Sequence, residues 1–532
     1  MLTAEELSNM VADMFQKQNN MLSMWQIMAD NFYPERSDFR YVRNIGAELS
    51  DQVTDSHPIL TRRDLANSFH AMLRDGDWFN IVTAPGHTPD RDGREWLQFA
   101  TERQRAIFDA KSSGFTRAVK EGDHDFATFG NCVISVEPNR LRNGIVFRDW
   151  HLKDCAWNED ETGQVATVAR KWAASRFDLW RLFENNPDAK LHSRLLEPDA
   201  KKKPFATEDI RHIVIPVDLY GDEEMMDQGF KFVSMYIDMK EKEYIQKTPL
   251  YNQTYVVPRF QTISGSPYAY SPATVAGLPD ARTLQSMTFT LLEAAERYAR
   301  PTIVATTGVV NGNVDLTPGG VTWVDNEYDE RKGASLRNMS QDRGGFPIGA
   351  SERGRVYEVL DRAFYLNKIN LPMLDREMTA YEVQERMKQY RRENLPLFSP
   401  LESDYNGQLC DATFNLAMQM GLMGSTQDIP QSLQGQDVTF QYESPLTDSQ
   451  NEEKANRFSQ TSALLREAAE MDAGVIDNVN FDVAVRDAIT GMNAPETWLV
   501  PEETVAERRQ MDAAASQAQA QAEAGPPAEG AV

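Results

Sequence analysis

Apolar residues fall at helical spacing in two stretches near the middle of the chain. In the first, Leu284, Met287, Leu291, Ala295 and Tyr298 lie on one face of a helix. Asp280, directly after Pro279, reads as its N-cap, and Pro301 stops it at Arg300. Residues 281–300 would span roughly 30 Å at the ordinary helical rise. A second helix opens at Ser351 and carries Val356, Tyr357, Leu360 and Phe364 on one face, and Pro372 then forces a loop. Between the two lie strand-like runs at 302–305 and 321–324, with turn signals at Asn311-Gly312-Asn313 and Pro318-Gly319-Gly320. The pattern predicts two helices running out and back, tipped by a small β insert. Two apolar stripes need partners, and either a surrounding globular core or further copies of the chain would supply them.

The rest of the chain is helical at both ends and strand-rich between. Thr3-Ala-Glu-Glu6 is a capping box. The helix it opens carries Leu7, Met10, Val11 and Met14, and continues through Met21, Leu22, Trp25 and Met28 to Pro34. A second helix is expected over 60–74, running into Trp78-Phe79-Asn80-Ile81, then a loop at 85–93 and one long helical segment over 94–127. From Asn131 short strands follow at 133–136, 145–147, 165–168, 213–217, 230–237 and 255–259, so the class is α+β with mainly antiparallel strands. Further capping boxes stand at Thr379-Ala-Tyr-Glu382, ahead of Val383, Met387 and Tyr390, and at Ser399-Pro-Leu-Glu402, whose helix should run to Gly424. Helix is expected again from 446, and beyond Met511 the Ala, Gln and Glu composition predicts a disordered tail.

At 532 residues the chain has room for two to four domains, and its 41% apolar and 10% aromatic content is that of a folded protein. Mean hydropathy is −0.53, and no apolar run approaches the ~20 residues a membrane helix needs. The start of the chain has no basic segment of a secretion signal. Cys132, Cys155 and Cys410 share no metal-ligand spacing and read as reduced thiols of a cytoplasmic product. Net charge is −25. That argues against gripping nucleic acid through its phosphates, but not against letting it pass without sticking. Residues 424–532 hold 19 Asp and Glu against 6 Lys and Arg, so a fifth of the chain carries half of the net charge. Lys201-Lys202-Lys203 reads as a solvated loop.

Chemistry-bearing motifs are sparse. There is no P-loop, G-x-S-x-G, H-E-x-x-H or paired-Cys motif, and nothing implies a cofactor. Asp123-His124-Asp125 could ligate a metal, although an ion-paired histidine is the simpler reading.

Several segments, read in order, resemble the head-to-tail connector, or portal, proteins of short-tailed bacteriophages. These are Trp25 to Tyr33-Pro34, Ala66-Asn67-Ser68-Phe69-His70 with Trp78-Phe79, and Phe129-Gly130-Asn131 before a strand. Val257-Pro258-Arg259-Phe260 and Tyr270-Ser271-Pro272 come next, leading to Leu278-Pro279-Asp280-Ala281-Arg282-Thr283-Leu284. Glu377-Met378-Thr379-Ala380-Tyr381-Glu382-Val383 closes the series, with Tyr381 where a small residue is usual. The likeness spans about 20–425, and the last hundred residues share only helical, acidic character.

The resemblance implies a portal-like α+β fold. Residues 1–270 and 378–423 would form a wing, 271–300 and 351–368 two stem helices, and 301–350 a clip. A tunnel loop would occupy 369–377, and 424–532 a crown with its tail. It also implies a structural virion protein, not an enzyme, in a ring of usually twelve copies at a capsid vertex. Its partners would be other copies of itself, the terminase large subunit, tail adaptor or nozzle proteins, and the major capsid and scaffolding proteins. Double-stranded DNA would pass without sequence specificity, and no membrane is involved. On this assignment Lys368, Asp375, Arg376 and Glu377 flank or form the channel constriction, and Trp323, Tyr328 and Arg331 are candidates for docking at the clip. A hydrolase or nuclease using some of the many carboxylates, and a non-viral helical scaffold, remain the alternatives.

Overall fold

A computed structural model describes residues 1–84 apart from 43, 45, 50–52 and 75, and 89–299 apart from 185, 187 and 188. It also describes short pieces within 303–338, then 345–369, 401–442, 458–466, 479–491 and a few positions from 500 to 515. The chain runs through α1 (Ala4–Phe32), α2 (His57–Leu73), β1 (Phe79–Thr83), α3 (Arg91–Asp109) and α4 (Phe115–Phe129). Strands β2 (Ile134–Pro138), β3 (Ile145–Asp149), β4 (Cys155–Glu159) and β5 (Val165–Ser175) follow, then short helices α5 (Arg176–Phe183) and α6 (Glu197–Lys202). Next come β6 (Thr207–Pro216), α7 (Val217–Tyr220), α8 (Glu223–Asp227), β7 (Phe232–Asp238), β8 (Glu243–Leu250) and β9 (Tyr255–Val256). Helix α9 (Leu278–Ala299), strands β10 (Ile303–Ala305) and β11 (Leu336–Asn338), and helices α10 (Gly345–Ala363) and α11 (Leu366–Ile369) make the middle. A helix at Gly407–Gln419, β12 (Val438–Tyr442) and a helix at Phe481–Gly491 complete the described elements.

The chain divides into two compact units. The first comprises 1–69, 117–135 and 148–377. Its centre is a five-stranded antiparallel sheet in the order β4-β5-β6-β7-β8. Alternation along β6 splits the side chains between two faces. Ile213 and Ile215 meet Leu7 and Val11 of α1 on one face, and Ile210 joins Leu179 and Phe183 of α5 on the other. The Thr3 capping box is formed, with Glu6 N–H donating to the Thr3 hydroxyl at 3.3 Å and Thr3 N–H donating to the Glu6 carboxylate at 2.9 Å. On the α5 face the ring of buried His212 stacks on Tyr236 at 4.1 Å, and its Nε2 lies 2.7 Å from the Ser234 hydroxyl. Burial and the nearby Arg170 hold that imidazole well below the usual histidine range, so it is neutral.

The second unit comprises 70–116, 136–147 and 378–532. Here β1 pairs with β12 in antiparallel register, Ile81 opposite Phe440, and Trp78, Phe79, Phe108, Phe115 and Phe147 form an aromatic cluster. Gln104 donates to the carbonyl of Cys410 at 3.0 Å, tying α3 to the helix Gly407–Gln419. All three cysteines are buried free thiols.

Several expectations need correction. The single helix over 94–127 is two helices, because the chain turns at Gly114 with φ +66° and Ser113 accepts the N–H of Phe115 to start the second. Strands β4, β8 and β12 were not legible: β4 has only five residues, the first three buried in a row without alternation, and β8 carries Lys247 and Pro249 and forms one edge of its sheet. Lys201 and Lys202 end a short helix rather than lying in a loop, with both side chains exposed. Helix α10 opens at Gly345, six residues before Ser351, because Pro347 falls in the first turn, where no N–H is needed. The capping box at Thr379 and residues 370–400 lie outside the described residues, as does most of the tail after Met511.

Candidate functional site

The sequence singles out the α9–α10 pair, and the described side chains that hold its start lie within the first unit. The hold begins at Phe129-Gly130-Asn131. Gly130 has φ +76°, and a Cβ there would come within 2.5 Å of the backbone of Tyr270, so only glycine lets the two strands of chain cross. Asn131 is fully buried and uses both ends of its amide. Its Nδ2 donates to the carbonyls of Phe129 at 3.0 Å and Ala269 at 2.9 Å, and its Oδ1 accepts the N–H of Ala269 at 3.0 Å. Ser271 then donates to the carbonyl of Thr128 at 2.6 Å. The segment entering α9 is thereby fixed to the end of α4.

Helical winding begins earlier than Asp280. Residues Ala273–Gly277 form a π turn that runs directly into α9, and Leu278 N–H donates to the carbonyl of Ala273. Asp280 is therefore in the first turn of α9 rather than its N-cap. Gly277 sits where a Cβ would meet the rings of Phe364 at 3.1 Å and Phe32 at 3.2 Å, so α1, the π turn and the end of α10 share one small apolar junction.

Above the junction the two helices pack closely. A Cβ on Gly349 of α10 would come within 2.6 Å of Leu291 of α9. Leu284, Leu360 and Phe364 are fully buried, and Val356 nearly so. Met287, Leu291, Ala295 and Tyr357 are half-buried, which bears out the expected stripes as far as their side chains are described. Phe289 and Leu292, by contrast, are each 54% exposed on α9.

A polar latch joins both helices to the segment preceding α2. The N–H groups of Thr54 and Asp55 donate to Gln285 Oε1 at 2.8 and 2.9 Å, and Gln285 Nε2 returns a bond to the Asp55 carbonyl at 2.7 Å. The Asp55 carboxylate accepts from Thr288 at 3.0 Å, from the Tyr357 hydroxyl at 2.7 Å and from His57 N–H at 3.0 Å. The His57 ring stacks on Tyr357 at 4.1 Å, with Nε2 3.1 Å from the Asp361 carboxylate. Burial and the Asp55 hydrogen bond push the Tyr357 phenol up. Sequence reasoning missed this latch; the one available signal was Asp55 two residues before a helix that opens His57-Pro58.

Charge on the helix pair is largely self-compensated. Glu293 and Arg297 face each other at 3.8 Å and Glu352 and Arg355 at 2.8 Å, each pair within one helix. Such exposed pairs contribute little stability but leave less positive charge for an outside anion.

In the Asp123-His124-Asp125 motif, arginines engage both His124 and Asp125. Arg62 donates to His124 Nδ1 at 2.7 Å and lies 3.9 Å over the ring of Tyr33. Burial and the Arg62 charge lower the His124 imidazole to about 4. Asp125 instead holds Arg36 bidentately, Nε to Oδ1 at 3.0 Å and Nη2 to Oδ2 at 2.7 Å, and Arg36 also reaches Asp149 at 2.6 Å. Burial and the neighbouring Asp125 raise the Asp149 carboxyl well above the carboxylate range. Among the described residues no group of three His, Cys, Asp or Glu side chains could hold a metal.

Of the residues proposed at the constriction, Lys368 lies on α11 with its side chain outside the described residues, and Asp375, Arg376 and Glu377 are wholly outside. Of those proposed for docking, Trp323 is 72% exposed, Arg331 is exposed with its N–H donated to Asp329, and Tyr328 lies outside. The paired strands β10 and β11 bring the base of this insert together, Val304 opposite Arg337.

What these residues build is a braced helix pair. Residues 4–500 match the family described as bacteriophage head to tail connecting protein, and the chain belongs to that family. It is 21% identical over 475 residues to a probable portal protein of Bordetella phage BPP-1, covering 88% of this chain and 83% of that one. To the portal protein of Salmonella phage epsilon15 it is 24% identical over 332 residues, 59% of this chain and 57% of the relative. A chain from the virion of a native gene transfer agent particle aligns over 76% of this chain and 86% of its own at 9% identity, with a TM-score of 0.34 that marks only a loose likeness. The chain is thus a phage virion structural protein of the head–tail connection. No described helix is long and apolar enough to cross a membrane.

Proposed function

We propose that the chain is one subunit of a portal ring, of twelve copies, set at a single capsid vertex and serving as the conduit for DNA packaging and ejection. The family match across residues 4–500 carries this reading. In it, residues 1–270 and 378–423 form the wing, 271–300 and 351–368 the stem, 301–350 the clip, 369–377 the tunnel loop and 424–532 the crown and tail. The exposed Phe289 and Leu292 are available to a neighbouring subunit.

Electrostatics supports a passage that does not grip. Each neutralised phosphate adds salt-dependent affinity and would act as a brake. The paired stem charges and the net charge of −25 avoid that. Around a ring the acidic 424–532 segment would repeat into a repulsive field reaching about a Debye length, ~8–10 Å at ordinary salt. Lys368 and Arg376, beside Asp375 and Glu377, supply the few direct phosphate contacts and make the tunnel loop a sequence-blind valve. Trp323, Tyr328 and Arg331 meet the terminase large subunit during packaging and the tail adaptor or nozzle afterwards, while the wing meets capsid and scaffolding proteins. Native mass measurement tests the ring: a species near twelve times 60.3 kDa is expected, and a chain that stays monomeric at micromolar concentration overturns the reading.

A further inference from the structure

The π turn before α9 sits between two fixed points. Upstream, Asn131 and Thr128 hold Ala269 and Ser271. Downstream, Asp55 holds Gln285, Thr288 and, through α10, Tyr357. Between them Val275 is 67% exposed and Ala276 is also exposed, so the outer side of the turn packs against little.

Pro279 supplies a steric reason for π over α winding in this turn. Winding starts at Pro272, so Pro279 is an interior residue of the continuous helix, not a tolerated first-turn residue. In α winding its ring would meet the carbonyl four residues back, that of Val275, and it has no N–H to offer that carbonyl. Widening the turn by one residue, with Leu278 N–H reaching back to Ala273, removes the clash. The extra residue also sets the phase of everything beyond it. Each residue of α winding turns the axis by about 100° and advances it about 1.5 Å. In the observed phase Gly277 occupies the slot between Phe32 and Phe364, and Gln285 and Thr288 face Asp55.

We propose that this turn is a pinned register switch: Pro279 holds α9 one residue out of simple α phase, the Asp55 latch locks that phase, and release of either lets α9 rotate by one residue's turn and re-aim its exposed face. That face carries Phe289 and Leu292, so the switch decides which surface the helix offers to a neighbour. The device depends only on the geometry of the first unit and stands whether or not the chain forms a ring.

The test is amide hydrogen exchange on the full chain, because the N–H groups of Thr54 and Asp55 donate to Gln285 and report the phase of α9 directly. Pro279→Ala permits α winding; exchange at Thr54 and Asp55 should accelerate at least about tenfold, while residues 275–280 become better protected. Deleting Val275 in the Pro279→Ala background removes the surplus residue, returns α9 to its original phase, and should restore protection at Thr54 and Asp55. Unchanged exchange at those amides in Pro279→Ala overturns the proposal. So does a double variant that exchanges as fast as the single one, since a merely weakened turn is not repaired by a deletion. Loss of protection throughout β5, β6 and β7 in the single variant counts against it equally, for it would show a turn needed by the whole unit rather than a phase selector.

Discussion

Asn131→Ala separates a local clamp from ordinary burial. The asparagine makes three side-chain hydrogen bonds in a dry setting, and its removal leaves the Ala269 N–H and two carbonyls to find other partners. A typical bond contributes about 1 kcal/mol net, and a buried group left unsatisfied costs about 1–3 kcal/mol. The loss should total about 3–5 kcal/mol, most of it from the stranded Ala269 N–H. Trp25 and Trp157 are convenient reporters, because the Trp25 ring lies 6.4 Å from Phe129 and stacks on Trp157 at 6.3 Å. With a urea m-value of about 3 kcal/mol/M, the tryptophan-detected midpoint should fall by roughly 1–1.7 M. Asn131→Asp keeps the acceptor but turns the donor into an anion facing two carbonyls. It should be at least as damaging at neutral pH and progressively relieved as pH falls toward about 4, because burial beside two carbonyls makes the folded chain take up this proton before the unfolded chain does. A midpoint shift below ~0.3 M for the alanine variant, under 1 kcal/mol, refutes the clamp.

Gly349→Val should press on the Leu291 side chain and destabilise by about 1–3 kcal/mol, read as a lowered urea midpoint; a change within 0.5 kcal/mol means that the Leu291 side chain yields without cost. Asp125→Asn should destabilise by about 3–5 kcal/mol because Arg36 loses its bidentate partner, whereas Asp149→Asn, replacing a carboxyl already pushed toward neutrality, should stay within about 1 kcal/mol; equal losses contradict that asymmetry. His124 is held neutral by burial and Arg62, so the unfolded chain takes up this proton first: its contribution is fully present above about pH 6.5 and declines as pH falls toward about 4. His124→Gln should flatten stability against pH in that window, and an unchanged slope rejects the assignment. Reversing the charges of Lys368 and Arg376 should alter DNA packaging or retention in assembled particles without changing the assembly's mass; particles that package and hold DNA as the parent does show that the loop is no valve.

Local chemistry was enough for some of this molecule. The Thr3 box and the apolar stripes of α9 and α10 are set by spacing and contacts within a few residues, so periodicity and capping residues announce them. Phe129-Gly130-Asn131 was visible as a motif, but its purpose was not, because the backbone it clamps lies some 138 residues further along. The Asp55 latch spans 230 residues or more to Gln285, Thr288 and Tyr357, each an unremarkable polar residue in its own helix. The start of α9 was misplaced for a related reason: Pro279 reads as a boundary when only neighbours are considered, yet the winding begins before it as a π turn and runs through it into α9. The acidic-histidine motif shows the same division. Its residue types permit a metal site or a set of ion pairs, and only the approach of Arg36 and Arg62 from elsewhere in the chain decides for the pairs. Short-range preferences choose the elements; the phase, partners and charge state of their side chains depend on groups that only folding brings within a few ångströms.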